Sequence, residues 1–162
     1  MRANLSIKRS IETCGAYLMG LLVLVRHGQS EWNSKRIFSG QSNPKLTAQG
    51  VEEAKRTGQL LKSKSLKFDM AYSSCLARAR NTLGLILTEM EQSQLHVIED
   101  KRFNERDYGE LTGLTVEAAS QNYGVEQVHR WRQSFDEVPP GGESLEMTAK
   151  RTSNAFNSCV LP

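Results

Sequence analysis

The stretch Leu21-Leu-Val-Leu-Val-Arg-His-Gly-Gln-Ser-Glu-Trp-Asn33 decides the fold prediction. Its first five residues are an apolar run rich in branched side chains, which predicts a strand buried on both faces, as in a parallel sheet. Polar and reactive residues begin at Arg26, directly at the carboxyl end of this strand. Because open α/β sheets place their ligands at that edge, the segment predicts an α/β fold with a site after the strand.

Strands and helices alternate through the rest of the chain. Thr47 suits the N-cap of a helix running to about Lys64, and Ser144 suits that of the last helix. Further strands are predicted at Phe68-Asp-Met-Ala-Tyr72, ended by Ser73 and Ser74, and at His96-Val-Ile98; further helices are predicted at about 76–90, 116–122 and 125–135. This alternation predicts a mostly parallel α/β sheet.

Composition and charge indicate one globular domain. The 162 residues are 38% hydrophobic and 24% charged, and no apolar stretch is long enough for a membrane span. The net charge of +3 includes +2 from residues 1–20, which hold Arg2, Lys8 and Arg9 against Glu12. The remainder is nearly neutral, so the sequence does not predict a nucleic-acid partner.

The first 20 residues look foreign to the domain at 21–162. They show no clean period, so we expect a disordered extension or a wrongly assigned start, with translation beginning at Met19; a transit peptide stays open. The three cysteines, Cys14, Cys75 and Cys159, have neither disulfide nor zinc-ligand spacing. This usage predicts a reducing, cytoplasmic location.

Arg26-His-Gly28 carries the chemical signal. A neutral imidazole such as that of His27 attacks phosphorus and returns the phosphoryl group readily. Arg26 offers a planar fork of donors to phosphate oxygens, and Gly28 allows backbone amides to approach them. Ser30 and Asn33 add neutral donors. The tripeptide alone is a weak signal, because it is short enough to occur in unrelated proteins.

The surrounding motifs are far more specific. They run in order from about Leu21 to Arg151: Arg26-His-Gly-Gln-Ser-Glu-Trp-Asn33, Ser39-Gly40, Leu46-Thr-Ala-Gln-Gly50, Phe68-Asp-Met-Ala-Tyr-Ser-Ser74 with Arg78, Phe103-Asn-Glu-Arg-Asp-Tyr-Gly109, Leu111-Thr-Gly-Leu114, Val128-His-Arg-Trp-Arg132 and Pro139-Pro-Gly-Gly-Glu-Ser144. With this series the chain resembles the histidine phosphatase superfamily, and within it the 2,3-bisphosphoglycerate-dependent phosphoglycerate mutases.

The resemblance implies a three-layer α/β sandwich with a mostly parallel sheet. It implies interconversion of 3-phosphoglycerate and 2-phosphoglycerate, a step of glycolysis and gluconeogenesis, through a phosphohistidine. The primer would be 2,3-bisphosphoglycerate, with no metal. The expected partners are small phosphorylated three-carbon acids, with no nucleic acid and no membrane; a homo-oligomer is left open.

The resemblance also assigns roles to individual residues. His27 and Glu105 are implied to be catalytic, with Glu105 moving a proton to and from the substrate hydroxyl. Arg26 and Arg78 would clamp the phosphoryl group, and Arg106, Tyr108 and Arg132 would hold the carboxylate or distal phosphate. The full implied substrate-binding set is Arg26, Gly28, Gln29, Ser30, Asn33, Ser39, Gly40, Arg78, Arg106, Asp107, Tyr108 and Arg132.

Several of these residues have ordinary alternatives. Glu105 lies in a charged loop, and taken alone such a residue is more often a solvated acid. Arg78 and Arg80 are consistent with the exposed face of a helix. Arg132 is spaced to pair with Asp136 four residues later, a surface contact of modest worth.

Three positions or segments depart from the mutase pattern. Val116 stands where the mutases usually have lysine, and Gln133 where they have arginine. Each lost charge-assisted contact is worth roughly 1.5–3 kcal/mol. The chain also has no second His-Gly-Asn segment. We therefore expect a truncated domain, lacking the C-terminal strand and helix, with a gap in its sheet.

These departures leave several functions open. Mutase activity is the leading hypothesis. A histidine phosphatase, with water as the final acceptor, is favoured by Val116 and Gln133, because both substitutions loosen the hold on an intermediate. An inactive remnant is the third hypothesis, and nucleic-acid binding is the least supported.

Overall fold

The computed structural model describes residues 5–9 and 20–160. Strand β1, Leu5–Arg9, pairs antiparallel with strand β2, Leu21–Val25, so that Leu5 lies opposite Val25. The predicted extension at residues 1–20 thus includes one strand of backbone. Cys14 and Met19 lie outside the described residues, and the predictions made for them stay predictions.

A second, parallel pair lies farther along the chain. Strand β3, Ala71–Ser73, pairs with strand β4, Val97–Glu99. In the part of the chain that the structure describes, the two pairs are separate two-stranded sheets. The predicted α/β class is confirmed, although the parallel sheet is small and helices dominate.

Six α-helices lie in the part of the chain that the structure describes. They are α1 Glu31–Ser34, α2 Ala48–Ser63, α3 Ala77–Glu89, α4 Val116–Tyr123, α5 Val125–Gln133 and α6 Leu145–Ala155. Short 3₁₀ turns cover Lys101–Phe103 and Gly109–Leu111, and a wider turn covers Phe156–Val160. Thr47 and Ser144 cap α2 and α6 with their side chains, as predicted. None of the described helices has the length and apolarity that a membrane crossing requires.

Two predictions about the strands are wrong in detail. Strand β2 is not buried on both faces, because Leu24 is 50% and Val25 40% exposed. Among the described residues, β1 is its sole strand neighbour. Strand β3 begins later than predicted because Phe68 is held by a side chain instead: its amide donates to Gln92 Oε1 and its carbonyl accepts from Gln92 Nε2.

Two apolar clusters frame the region after β2. One consists of Leu61, Ile86 and Met90, where α2 crosses α3 and Val23 packs on them. The helices approach closely because Gly58 has no side chain; a Cβ there would lie 2.7 Å from the carbonyl oxygen of Ile86. The other cluster joins α4 and α5 to the loops that contain Phe38 and Leu111. Its buried members are Phe38, Leu111, Ala119, Val128 and Trp131.

Candidate active site

The loop after β2 is anchored through Gly28. Its amide donates to Thr82 Oγ1 at 3.1 Å, which ties the loop to α3. On its other side the backbone touches the start of α2, so that a Cβ on Gly28 would lie 2.2 Å from the carbonyl oxygen of Gly50. Glycine is required here by this close backbone approach.

Gly28→Ala is expected to destabilise the protein by about 3 kcal/mol, because two backbone segments must move apart to admit one methyl group. Urea unfolding measures this change. Gly84→Ala is the matched control: Gly84 lies in α3, and a Cβ there would meet no atom of the described residues within 4 Å, so it should hold or raise stability. Equal stability of Gly28→Ala and the parent protein would contradict the packing argument.

The imidazole of His27 is held in one tautomer. Its Nδ1 lies 2.7 Å from the carbonyl oxygen of Gly28, and because a carbonyl only accepts, Nδ1 carries the proton. Nε2 therefore keeps its lone pair, and the Nε of Arg78 donates to it at 3.2 Å. Nε2, the nucleophilic nitrogen of the ring, thus lies beside the guanidinium group of Arg78.

The surroundings of His27 favour the neutral ring. Burial lowers its pKa below the ordinary value of 6.5, and the positive charges of Arg78 and Arg26 lower it further. The hydrogen bond to Gly28 and the charge of Glu105 oppose this shift without reversing it. A neutral imidazole is the form that attacks phosphorus, so the site keeps His27 ready to react at neutral pH.

We predict that His27 titrates below pH 6.5 in the folded protein. Because its folded-state pKa is depressed, its contribution to stability is present above pH 6.5 and is lost as pH falls through the folded-state pKa. NMR titration of the imidazole carbons, with the urea-unfolded chain as reference, measures both values. A folded-state pKa at or above the unfolded one would contradict the geometry.

Arg78 is a buried cation held by neutral groups. Its side chain sits in the first turn of α3, and the residue is 1% exposed. Nη1 donates to the carbonyl of Ser42 at 2.7 Å and Nη2 to that of Gly40 at 3.0 Å. The alternative of an exposed helix face is wrong for Arg78 but right for Arg80, which is exposed and pairs with Glu99 at 3.1 Å.

A pocket of about 380 Å³ includes Arg26 in its wall, whereas His27 and Arg78 are not among its lining residues. Six predicted site residues line it: Arg26, Asn33, Ser39, Glu105, Tyr108 and Arg132. Because Arg26 directly precedes His27 in the chain, the pocket lies next to the nucleophile. The rest of its wall comes from residues that the sequence did not single out as ligands: Arg36, Ile37, Phe38 and Val116.

Other predicted residues support the loops around the pocket. Ser30 is fully buried and caps α1, and its hydroxyl donates to Asn33 Oδ1 at 2.8 Å. Gln29 Oε1 accepts from Thr47 Oγ1, and Asp107 Oδ1 accepts from the amide of Gly109. Gly40 contributes the carbonyl that holds Arg78. Direct substrate binding by these four residues stays a prediction.

Arg106 lies behind the pocket wall. It is 3% exposed, Nη1 donates to the carbonyl of Trp131, and its guanidinium lies 4.7 Å from the centre of the Tyr108 ring. Its Nε is buried without a hydrogen-bond partner among the described residues. Arg106 therefore positions Tyr108 and adds positive charge behind it.

The site concentrates cations that lack acidic partners. Several arginines elsewhere do pair with carboxylates, as Arg102 does with Asp100, Arg130 with Glu137 and Arg151 with Glu143. Among the residues that the structure describes, no carboxylate oxygen lies within ion-pair distance of the five site arginines, which are Arg26, Arg36, Arg78, Arg106 and Arg132. The alternative pairing of Arg132 with Asp136 is therefore wrong. Unpaired guanidinium groups around one pocket suit a multiply charged anion.

Comparison with known proteins supports this chemistry. Residues 22–160 match the family described as histidine phosphatase superfamily (branch 1). A 2,3-bisphosphoglycerate-dependent phosphoglycerate mutase of Parvibaculum lavamentivorans is 54% identical over 142 residues, which are 88% of this chain and 68% of that protein. One of the same description from Afipia carboxidovorans is 55% identical, again over 88% of this chain, and 69% of its length is covered.

Solved structures show the same fold at lower identity. A phosphoglycerate mutase from Bacillus anthracis superimposes with a TM-score of 0.69 at 27% identity, covering 82% of this chain and 63% of that one. An alpha-ribazole phosphatase from Shigella flexneri gives a TM-score of 0.71 at 27% identity, covering 83% and 65%. The chain thus spans about two thirds of the length of its relatives.

Proposed function

Because the chain belongs to the histidine phosphatase superfamily, we propose that it transfers phosphoryl groups between phosphoglycerates through a phosphohistidine at His27. One observation carries this proposal: the buried guanidinium of Arg78, without a carboxylate partner among the described residues, donates to the unprotonated Nε2 of His27. A buried cation without an acid is costly unless an anion binds beside it.

The first half-reaction loads the histidine. Nε2 of His27 attacks the phosphorus of a phosphate ester; the N–P bond forms while the bond from phosphorus to the ester oxygen breaks. Arg78 releases Nε2 and donates instead to the phosphoryl oxygens, together with Arg26. Glu105 relays a proton from solvent to the departing ester oxygen.

The second half-reaction returns the phosphoryl group. Glu105, now a carboxylate, takes the proton of an acceptor hydroxyl, whose oxygen attacks phosphorus as the N–P bond to His27 breaks. If the acceptor is the free hydroxyl of a bound phosphoglycerate, 2,3-bisphosphoglycerate forms. Transfer of its other phosphoryl group back to His27 then leaves the phosphate moved between positions 2 and 3. The substrate class and the 2,3-bisphosphoglycerate primer are inferred from the names of the relatives and the five unpaired arginines.

A phosphatase is the second candidate, with water in place of the glycerate hydroxyl. The apolar wall at Val116 favours it, because an apolar wall holds a charged intermediate less firmly than a cationic one would. The resemblance to an alpha-ribazole phosphatase also fits this reaction class. The ratio of phosphoglycerate interconversion to release of inorganic phosphate separates the two candidates.

The test is labelling with 2,3-bisphosphoglycerate that carries ³²P. We expect an acid-labile, alkali-stable label on the peptide that contains His27, with the peptides of the other two histidines, His96 and His129, unlabelled. The label should pass to a phosphoglycerate in a mutase and to water in a phosphatase. Folded protein that takes up no label would overturn both candidates and indicate a non-catalytic remnant.

A further inference from the structure

Arg36 occupies an unusual turn at the rim of the pocket. Its backbone φ is +55°, in the left-handed region that an arginine rarely adopts. Its amide donates to the carbonyl of Asn33 at 3.3 Å, and its carbonyl accepts from the amide of Val116 at 3.2 Å. A left-handed residue of this kind commonly ends a helix: Arg36 closes α1 as Ser65 closes α2 and Glu91 closes α3.

The guanidinium of Arg36 has free donors. Its side chain is exposed and lines the same pocket as Arg26 and Arg132. In the described part of the chain, no carboxylate pairs with it, unlike Arg80 with its partner Glu99. The turn therefore brings an unpaired cation to the pocket next to Val116, whose amide bonds to the carbonyl of Arg36.

The pocket has two ends with different tasks. His27 lies against α2 and α3, because the neighbouring Gly28 contacts both helices, and Arg78 belongs to α3; this side is the phosphoryl-transfer end. Arg36 lies instead against the start of α4, through its hydrogen bond to Val116, and Arg132 lies in α5, which packs with α4 in one apolar cluster. An anionic substrate that places its phosphoryl group at His27 would thus direct its other charged group toward Arg36 and Arg132.

We propose that Arg36 is a specificity-determining residue that binds the carboxylate of the substrate at the end of the pocket away from His27. This inference rests on the proposed function and names the residue that selects a phosphorylated acid over a phosphate ester without a carboxylate. The planar fork of arginine suits a carboxylate. Arg36 supplies the positive charge whose loss the sequence predicted at its neighbour Val116.

Calorimetric titration of two ligands tests the proposal: 3-phosphoglycerate, which has a carboxylate, and glycerol 3-phosphate, which has a hydroxymethyl group there. Arg36→Asn removes the guanidinium and introduces a residue that tolerates the left-handed turn, so folding should be preserved. We expect Arg36→Asn to bind 3-phosphoglycerate about 10- to 100-fold more weakly, with glycerol 3-phosphate changed less than about twofold.

Lys35→Ala is the matched control, because it removes the same charge one residue away, from an exposed side chain outside the pocket wall. It should leave both affinities near those of the parent. The inference about Arg36 is rejected if Arg36→Asn binds 3-phosphoglycerate as tightly as the parent does, or if it loses affinity equally for both ligands. Either outcome leaves the proposed function standing. A folded parent that binds neither ligand overturns the proposed function, and this inference with it.

Discussion

His27→Ala is expected to take up no acid-labile label from ³²P-labelled 2,3-bisphosphoglycerate, and its turnover should fall by about 10⁵-fold. The reason is that Nε2 of His27 is the unprotonated imidazole nitrogen that faces the guanidinium of Arg78. Without this ring the phosphoryl group has no covalent acceptor at the site. Filter-bound radioactivity after alkaline quenching measures the first effect, and coupled assays of phosphoglycerate interconversion measure the second.

Two controls make this result specific. His96→Ala removes another imidazole, from an exposed residue next to β4, and should label like the parent. Thermal unfolding of His27→Ala, followed by circular dichroism, should show a folded protein, since the ring is half-buried and makes few contacts that packing depends on. A label that persists in folded His27→Ala would show that another group accepts the phosphoryl group.

Local features of the fold were accessible from the sequence. The N-caps at Thr47 and Ser144 were predicted because a side chain hydrogen bonds to an amide three residues later, within one turn. The spacing of Ser30 and Asn33 also marks a cap, and it would have identified Ser30 as the start of α1. Strand partners were harder to predict, since the exposure of β2 depends on which strands lie beside it.

The site was predicted unevenly for a similar reason. Short motifs located His27 and Glu105, because the resemblance depends on the residues around them. The burial of Arg78 depends on carbonyl groups of Gly40 and Ser42, which the folded chain brings to it from a distant loop. Arg36 was missed because its left-handed turn and its place beside Val116 exist only in the folded chain.

Arg78→Met should slow the phosphorylation of His27 by about 10³- to 10⁵-fold, the range typical of a transition-state arginine. Methionine keeps much of the length and apolar volume of the side chain but removes the charge and every donor. The phosphoryl group would then lose the guanidinium that lies beside the attacking nitrogen. Rapid-quench measurement of label uptake gives both the maximal rate of transfer and the donor concentration at half-saturation. The maximal rate should fall much more than the half-saturating concentration rises.

A second readout separates this catalytic role from a structural one. The positive charge of Arg78 helps to lower the pKa of His27, so the imidazole of Arg78→Met should titrate at a higher pH than that of the parent. Arg80→Met is the control: Arg80 lies in the same helix, exposed and paired with Glu99, and should change neither value. If Arg78→Met folds, labels at the parental rate and leaves the titration of His27 unmoved, Arg78 does not hold the phosphoryl group, and the proposed mechanism fails.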